Sequence, residues 1–271
     1  MEKKEHCMSE IEIIQQDLHA AYRCRQHRDY CFTASQIVAP ISVAEFSAAA
    51  LALPIVFSRN EQEYSPVMLQ GVEAGVNLMV GAKGKWVGRY TPASYRAFPF
   101  MMGLGKNDQQ LLCFRQNSDY ISDVLADEDS FPLFEDGQPS EAMNNILKML
   151  NAMFVDNQKT KVFCAKLAEL GLLSEWSFTL CVEDKNQPFT GFFAVDENKL
   201  RALSDTQVLE LNNMAAIPAI YAHLISLQNT TVLGRLNQLR TQQLNAASEY
   251  SAEKTPDFPI SEDQSIDLDW L

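Results

Sequence analysis

Apolar positions recur along this chain in two rhythms, short β-type runs in the first half and helical stripes in the second. Residues 53–58 and 65–71 are β-branched and aromatic runs flanking the polar turn 59–63, and they predict paired strands. Residues 77–80 predict another strand, closed by Gly81-Ala82-Lys83-Gly84, with 86–90 as its hairpin partner. A further strand is expected at 111–115, and 43–51 reads as a short helix ending before Pro54. Short strands with tight turns imply an antiparallel sheet.

The rhythm changes at Ser140-Glu141-Ala142-Met143. A helical pattern runs from there through Ile146, Leu147, Leu150, Met153 and Phe154, and a second helix, 159–170, is stopped by Gly171. Runs 177–183 and 189–195 predict paired strands with a loop near Asn186. The densest patterning is 189–229. Asp196 offers a carboxylate to the free N–H groups of a turn carrying Leu200 and Leu203, and Ser204 with Gln207 forms a capping box for the next helix. Pro218 fits a first helical turn, and Ile217, Ile220, Tyr221, Leu224 and Leu227 make an apolar stripe. The last helix is expected to continue to about residue 244.

These elements predict one α+β domain over 30–245, with an antiparallel sheet in its N-terminal half and helices plus a β-hairpin in its C-terminal half. Residues 1–29 read as a polar leader in which Ile11, Ile14, Leu18 and Tyr22 recur at helical spacing. Acidic 119–140, with Pro132, Gly137 and Pro139, reads as a surface excursion. Residues 246–271 read as a disordered tail, because 249–271 holds seven acids against one Lys before the apolar end at Leu268, Trp270 and Leu271.

Composition narrows the function. A chain of 271 residues with 46% hydrophobic content can bury a large core. Its formal net charge of −13 opposes sequence-independent nucleic-acid binding and docking on anionic lipid. The start lacks an apolar signal core, and no run approaches the roughly 20 apolar residues of a membrane span. A cytoplasmic location, no membrane insertion and reduced thiols for the six cysteines are the expectations.

Candidate chemistry is sparse. The glycines at 81 and 84, and at 103 and 105, match neither a phosphate loop nor a dinucleotide fingerprint, and no Gly-x-Ser-x-Gly occurs. Cys24, His27 and Cys31 would share one face of a helix and suit zinc, with His19, Cys7 or His6 to complete the shell. Their gaps match no common zinc knuckle, so no metal or other cofactor is assigned. His223, the only histidine beyond the leader, is a candidate general base, although a histidine packed in a core is the blander account. No catalytic residue is assigned. The aromatic run Trp86, Tyr90, Tyr95, Phe98 and Phe100, interleaved with Arg89 and Arg96, has the composition of a binding hot spot, or equally of a sheet core. Trp270 offers a second recognition element at the end of the tail.

Several of these pieces occur together in an ordered set. Glu45-Phe46 precedes Leu53-Pro54-Ile55-Val56-Phe57. Trp86, Tyr90, Pro92 and Tyr95-Arg96-x-Phe98-Pro99-Phe100 follow. Leu133-Phe134 with Gly137, Gly171-Leu172-Leu173, Val195-Asp196-Glu197 with Leu200, and Tyr221-Ala222-His223-Leu224 with Ser226-Leu227 complete it. Over about residues 30–235 the chain resembles the SapC family, named for an accessory protein of bacterial surface-array (S-layer) systems. The resemblance implies a soluble accessory protein of a surface-layer or outer-membrane-receptor-linked system, working through a protein partner. It carries over no catalytic residue and places the Cys/His set and the tail outside its range. A similarly named peptide-transporter permease is set aside, because this chain has no spanning segments. An enzyme or auxiliary subunit acting on a peptide or small molecule, and a small-ligand sensor, are the alternatives.

Overall fold

A computed structural model describes residues 11–106, 109–116, 120–124, 129–182 and 185–253. The chain opens with β1 (Ile11–Ile13), α1 (Gln16–His19), β2 (Arg23–Arg25), β3 (Val38–Pro40) and α2 (Phe46–Ala49). Next come β4 (Ile55–Asn60), β5 (Glu63–Leu69), α3 (Ala93–Arg96), β6 (Phe100–Leu104) and β7 (Gln110–Arg115). Four short strands follow: β8 (Ile121–Ser122), β9 (Ser130–Pro132), β10 (Phe134–Glu135) and β11 (Gln138–Pro139). The second half is α4 (Glu141–Glu169), β12 (Leu173–Val182), β13 (Lys185–Val195), α5 (Glu197–Arg201), α6 (Asp205–Asn213), α7 (Ala216–Ser226) and α8 (Thr230–Glu253).

All strand pairing is antiparallel among the described residues. The main sheet runs β12-β13-β4-β5-β3, and smaller sheets run β1-β7-β6, β8-β2-β9 and β10-β11. The expected α+β class is therefore the observed one, with most strands ahead of most helices. Two apolar cores result. The larger gathers Phe46, Phe57, Met68, Leu167, Leu211 and Ile220, among others; the smaller gathers Cys24, Phe100, Phe114, Leu133, Met143 and Leu150.

Helix α4 joins the two cores. Residues 141–169 form one helix where the pattern predicted two, because 155–158 contain neither Gly nor Pro and both halves bury a face. Its first half packs Met143, Ile146 and Leu150 in the smaller core, and its second half packs Phe163, Cys164 and Leu167 in the larger. Ser140 caps it by accepting from the Met143 N–H, and Gly171, at φ +65°, ends it. Asp196 and Ser204 likewise cap the helices expected of them.

Other expectations give way. The described part of the leader forms β1, a single helical turn and β2, which pair with β7, β8 and β9. Ile11, Ile14, Leu18 and Tyr22 were spaced as a helix, but strand partners elsewhere in the chain override so weak a local pattern. The 119–140 stretch is partly interior: Ile121 is buried and Leu133 has no exposure. The pairing expected between 77–80 and 86–90 reduces to one bridge, Val80 to Trp86. Helix α8 runs to Glu253, so the backbone of 246–253 is helical; residues 254–271, with Trp270, lie outside the described residues. No single described helix is long and apolar enough to cross a membrane.

In the β12–β13 hairpin the partners shift from Trp176–Phe192 to Phe178–Phe189, leaving one extra residue on β13. Gly191, at φ +96°, lies in this bulge. The extra residue puts Phe189 and Phe192 on the same face, where their rings lie 5.7 Å apart and join Phe178 and Trp176 in a contiguous aromatic row.

Candidate functional site

Phe98 stands between two concavities, one of about 420 Å³ and one of about 310 Å³, that share Ala97, Phe98 and Phe100 as a wall. Most of their lining comes from residues 24–32, residues 94–102 and the α4 positions Ile146, Leu150, Met153, Phe154 and Asn157, with Gln36, Pro40, Arg115 and Phe131 completing it. Volumes of this order suit a small organic group.

Close backbone approach sets residues 24–32 against the turn at Gly84. The Tyr30 N–H donates to the Gly84 carbonyl at 2.8 Å. A Cβ on Gly84 would lie 2.5 Å from Cys31 Sγ, so only glycine fits there. Phe32 then stacks on Phe98, with centroids 3.8 Å apart and planes 9° from parallel. His27 meets Tyr30, Phe32 and Phe98 edge-on, and Tyr120 meets Phe98 from another side.

Behind this wall a polar scaffold fixes the segment. Glu45 Oε1 accepts from Tyr90 Oη at 2.7 Å and the Ala93 N–H at 2.8 Å, while Oε2 accepts from the Ser42 N–H at 2.8 Å. One carboxylate therefore ties the capping box at 42–45 to the start of α3. Trp86 Nε1 donates to the Tyr90 carbonyl at 3.0 Å. Tyr95 Oη donates to Gln70 Oε1 at 2.8 Å, and Asn77 Nδ2 donates to the same oxygen at 3.1 Å and to the Thr33 carbonyl at 3.1 Å. Burial raises the pKa of both Tyr90 and Tyr95, so both stay phenols at neutral pH.

The concavities are not fully satisfied. Ser94 Oγ, on the larger, and His27 Nδ1, on the smaller, are buried atoms without a hydrogen-bond partner. Both atoms are enclosed by protein and have essentially no surface open to the concavities, so they belong to the packing of the wall. Burial lowers the His27 pKa, opposed by the backbone around Asp29 and Tyr95 and by the Asp29 charge. Arg25 and Arg96 line the smaller space and Arg115 the larger.

The aromatic run is thus a wall more than a surface. Tyr95 and Phe100 are buried, Trp86, Tyr90 and Phe98 are half-buried, and Arg96 is exposed. Sequence reasoning took His27 for a metal ligand and missed Tyr30, Phe32, Ser94, Arg115 and the α4 lining. Tyr30 and Phe32 sat at the edge of the expected domain, and their aromatic density was the available signal.

The proposed metal face does not form. Cys24 lies in strand β2 and Cys31 in a 3₁₀ turn, so helical spacing does not apply. Among the described residues no three His, Cys, Asp or Glu side chains cluster to hold a metal. Burial pushes the Cys24 thiol up to about 12, which keeps it protonated. His19 is engaged with the Gln15 N–H and Glu12, while His6 and Cys7 lie outside the described residues.

His223 is occupied at both nitrogens. Nδ1 donates to the Ile55 carbonyl at 2.8 Å, and Nε2 accepts from the Val195 N–H at 3.0 Å. Strands β4 and β13 pair directly only at Phe57 and Phe193; two residues further on, Ile55 and Val195 would face each other. The imidazole bridges them there, in place of a direct ladder bond. Ser226 Oγ accepts from the Ile55 N–H at 2.9 Å, so α7 side chains satisfy both polar groups of Ile55. This rotates the α7 stripe by about one residue: Ala216, Ala219, Ile220, His223 and Ser226 are buried, while Tyr221 is 49% exposed. Burial lowers the His223 pKa to about 4, fixing the neutral ring. It is a structural bridge with no nitrogen left for proton transfer.

Fold and site together define an antiparallel α+β protein with an aromatic cleft and a satisfied core histidine. The SapC family profile matches residues 14–233, and the chain belongs to the SapC family. The match includes the Cys24–Cys31 segment, which the resemblance had placed outside its range. No curated relative and no solved structure matches the chain.

Proposed function

We propose that this chain is a non-catalytic accessory protein that works by binding, with the cleft at Phe98 receiving one compact apolar or aromatic group. The observation that carries this reading is the pair of aromatic-walled concavities that share Ala97, Phe98 and Phe100. The alternative of an enzyme using His223 loses support, because both of its nitrogens are held by backbone. The setting proposed is cytoplasmic, in a surface-layer or outer-membrane-receptor-linked system, with a protein partner presenting or responding to the bound group. Two earlier ideas are modified. Binding is assigned to the Phe98 cleft rather than to Trp86, Tyr90, Tyr95 and Phe100 as an open face, and the tail ending at Trp270 remains a proposed second recognition element.

The test is affinity capture from the native host with wild type, Arg96→Ala and Phe98→Ser, identifying bound proteins and small molecules by mass spectrometry. Arg96 is exposed, so its loss should leave folding intact while weakening capture. Capture unchanged in both variants would sink the cleft reading. Deleting 254–271 in the same assay tests the tail without cutting α8.

A further inference from the structure

The open edge of β6 carries the proposed function one step further, and the step rests on the cleft reading. The Gly105 N–H donates to the Gln109 carbonyl at 2.8 Å and the Arg115 N–H to the Pro99 carbonyl at 3.2 Å, so odd-numbered residues along β6 bond to β7. Met102 and Leu104 therefore turn their backbone N–H and C=O groups away from β7. Among the described residues β6 ends its sheet, so those groups are open to an added strand. Met101 and Met102 point to opposite faces of β6, yet both line the larger concavity, which thus meets the strand edge-on. Leu150, Met153 and Phe154 of α4 give it an apolar floor.

A segment outside the described residues has the matching pattern. Residues 265–271 alternate apolar Ile266, Leu268 and Trp270 with acidic Asp267 and Asp269, the period-2 rhythm of a strand with one apolar face. Eleven residues, 254–264, join it to α8 and reach about 35 Å when extended. Helix α8 passes close to the cleft. Arg240 pairs with Glu73 at 3.3 Å, and the nearby Gly71 N–H donates to the Ile37 carbonyl at 3.1 Å, next to Gln36 of the larger lining. Beyond Arg240 the helix runs on for about 20 Å, less than the tether can span, so the segment can return to the cleft. We propose that residues 265–271 dock on the free edge of β6 as an added strand, seating Leu268 and Trp270 in the larger concavity and leaving Asp267 and Asp269 on the outer face. The cleft then holds an occupant from its own chain, which a partner's apolar group must displace.

The test compares the full wild-type chain with the full-length double variant Leu268→Ser/Trp270→Ser, both labelled at their methionine methyls. The expected result is that Met101, Met102 and Met153 shift between the two, while Met68 and Met79 of the larger core do not. The neutral probe 2-naphthylmethanol should bind the double variant about tenfold more tightly, because the tethered competitor is gone. A capped peptide of residues 265–271, added to the double variant, should restore the wild-type methyl positions. The same peptide with Leu268 and Asp269 exchanged keeps its composition but loses the alternation, and should bind about tenfold more weakly. Identical methyls and equal probe affinity in the two chains would overturn the docked tail and leave the cleft reading standing. No shift with the probe in either chain, together with identical methyls, would overturn both. Equal binding of the two peptides would overturn the strand pairing. Wild-type shifts that fade on dilution would place the tail on a second copy and overturn docking within one chain.

Discussion

Two histidines of this molecule are both pushed toward the neutral form by burial, yet they stand in contrasting surroundings. His223 bridges Ile55 and Val195 and has no spare valence, whereas His27 sits in an aromatic wall beside the Asp29 and Tyr95 backbone, with Nδ1 enclosed and lacking a hydrogen bond of good geometry. A satisfied buried polar group holds a fold together, while an unsatisfied one costs stability and is kept where binding repays it. The contrast separates the structural core from the binding cleft more sharply than residue type does, since histidine and tyrosine occur in both.

The largest effect that could break this contrast is His223→Ala. It leaves the Val195 N–H and the Ile55 carbonyl buried without partners and opens a cavity against Phe57, whose ring lies 5.0 Å from the imidazole. The expected loss is about 3–5 kcal/mol in urea unfolding. A loss below about 1 kcal/mol would show that the imidazole bridge is dispensable.

The pH dependence sharpens the same point. The folded pKa of His223, about 4, lies below the ordinary 6.5, so between those values the unfolded chain binds the extra proton. Stability from this group is therefore fully present above about pH 6.5 and lost progressively as pH falls toward 4, by about 3 kcal/mol in all. Comparing wild type with His223→Gln across that window isolates it from the carboxylates. Equal slopes would mean that the ring is not held neutral.

Glu45 links the two regions, and Glu45→Ala is expected to have an intermediate effect. Tyr90 Oη, the Ala93 N–H and the Ser42 N–H all lose their acceptor, for about 2 kcal/mol. Probe binding at the cleft should weaken as well, because α3 is no longer anchored. Unchanged binding would show that the wall is held by its aromatic packing alone.

Legibility in the sequence followed the range of the interactions. The caps at Ser140, Asp196 and Ser204 and the stop at Gly171 were readable because each is made by residues within a few positions of one another. The single α4 was misread as two helices, since a polar stretch without Gly or Pro marks no break unless its packing is known. The α7 stripe was off by one residue because His223 and Ser226 bond strand backbone some 170 positions away, which no local periodicity encodes. The cleft was half legible. Tyr95-Arg96-x-Phe98-Pro99-Phe100 pointed to it, but its other walls come from 24–32 and from α4. The Cys24, His27 and Cys31 spacing misled because it assumed a helix where β2 pairs with β8 and β9.

The smallest effect is the most diagnostic. His27→Phe keeps an aromatic edge against Tyr30, Phe32 and Phe98 while deleting the unpaired Nδ1. The change also removes the ring's polar contacts with the Asp29 and Tyr95 backbone, so the two effects oppose each other and stability should move by no more than about 1 kcal/mol. At the cleft the same change should leave capture nearly unchanged, because Nδ1 has no surface open to the concavity. If His27→Phe instead destabilises by as much as His223→Ala, then His27 is a second structural bridge, and the contrast between the two histidines falls with it.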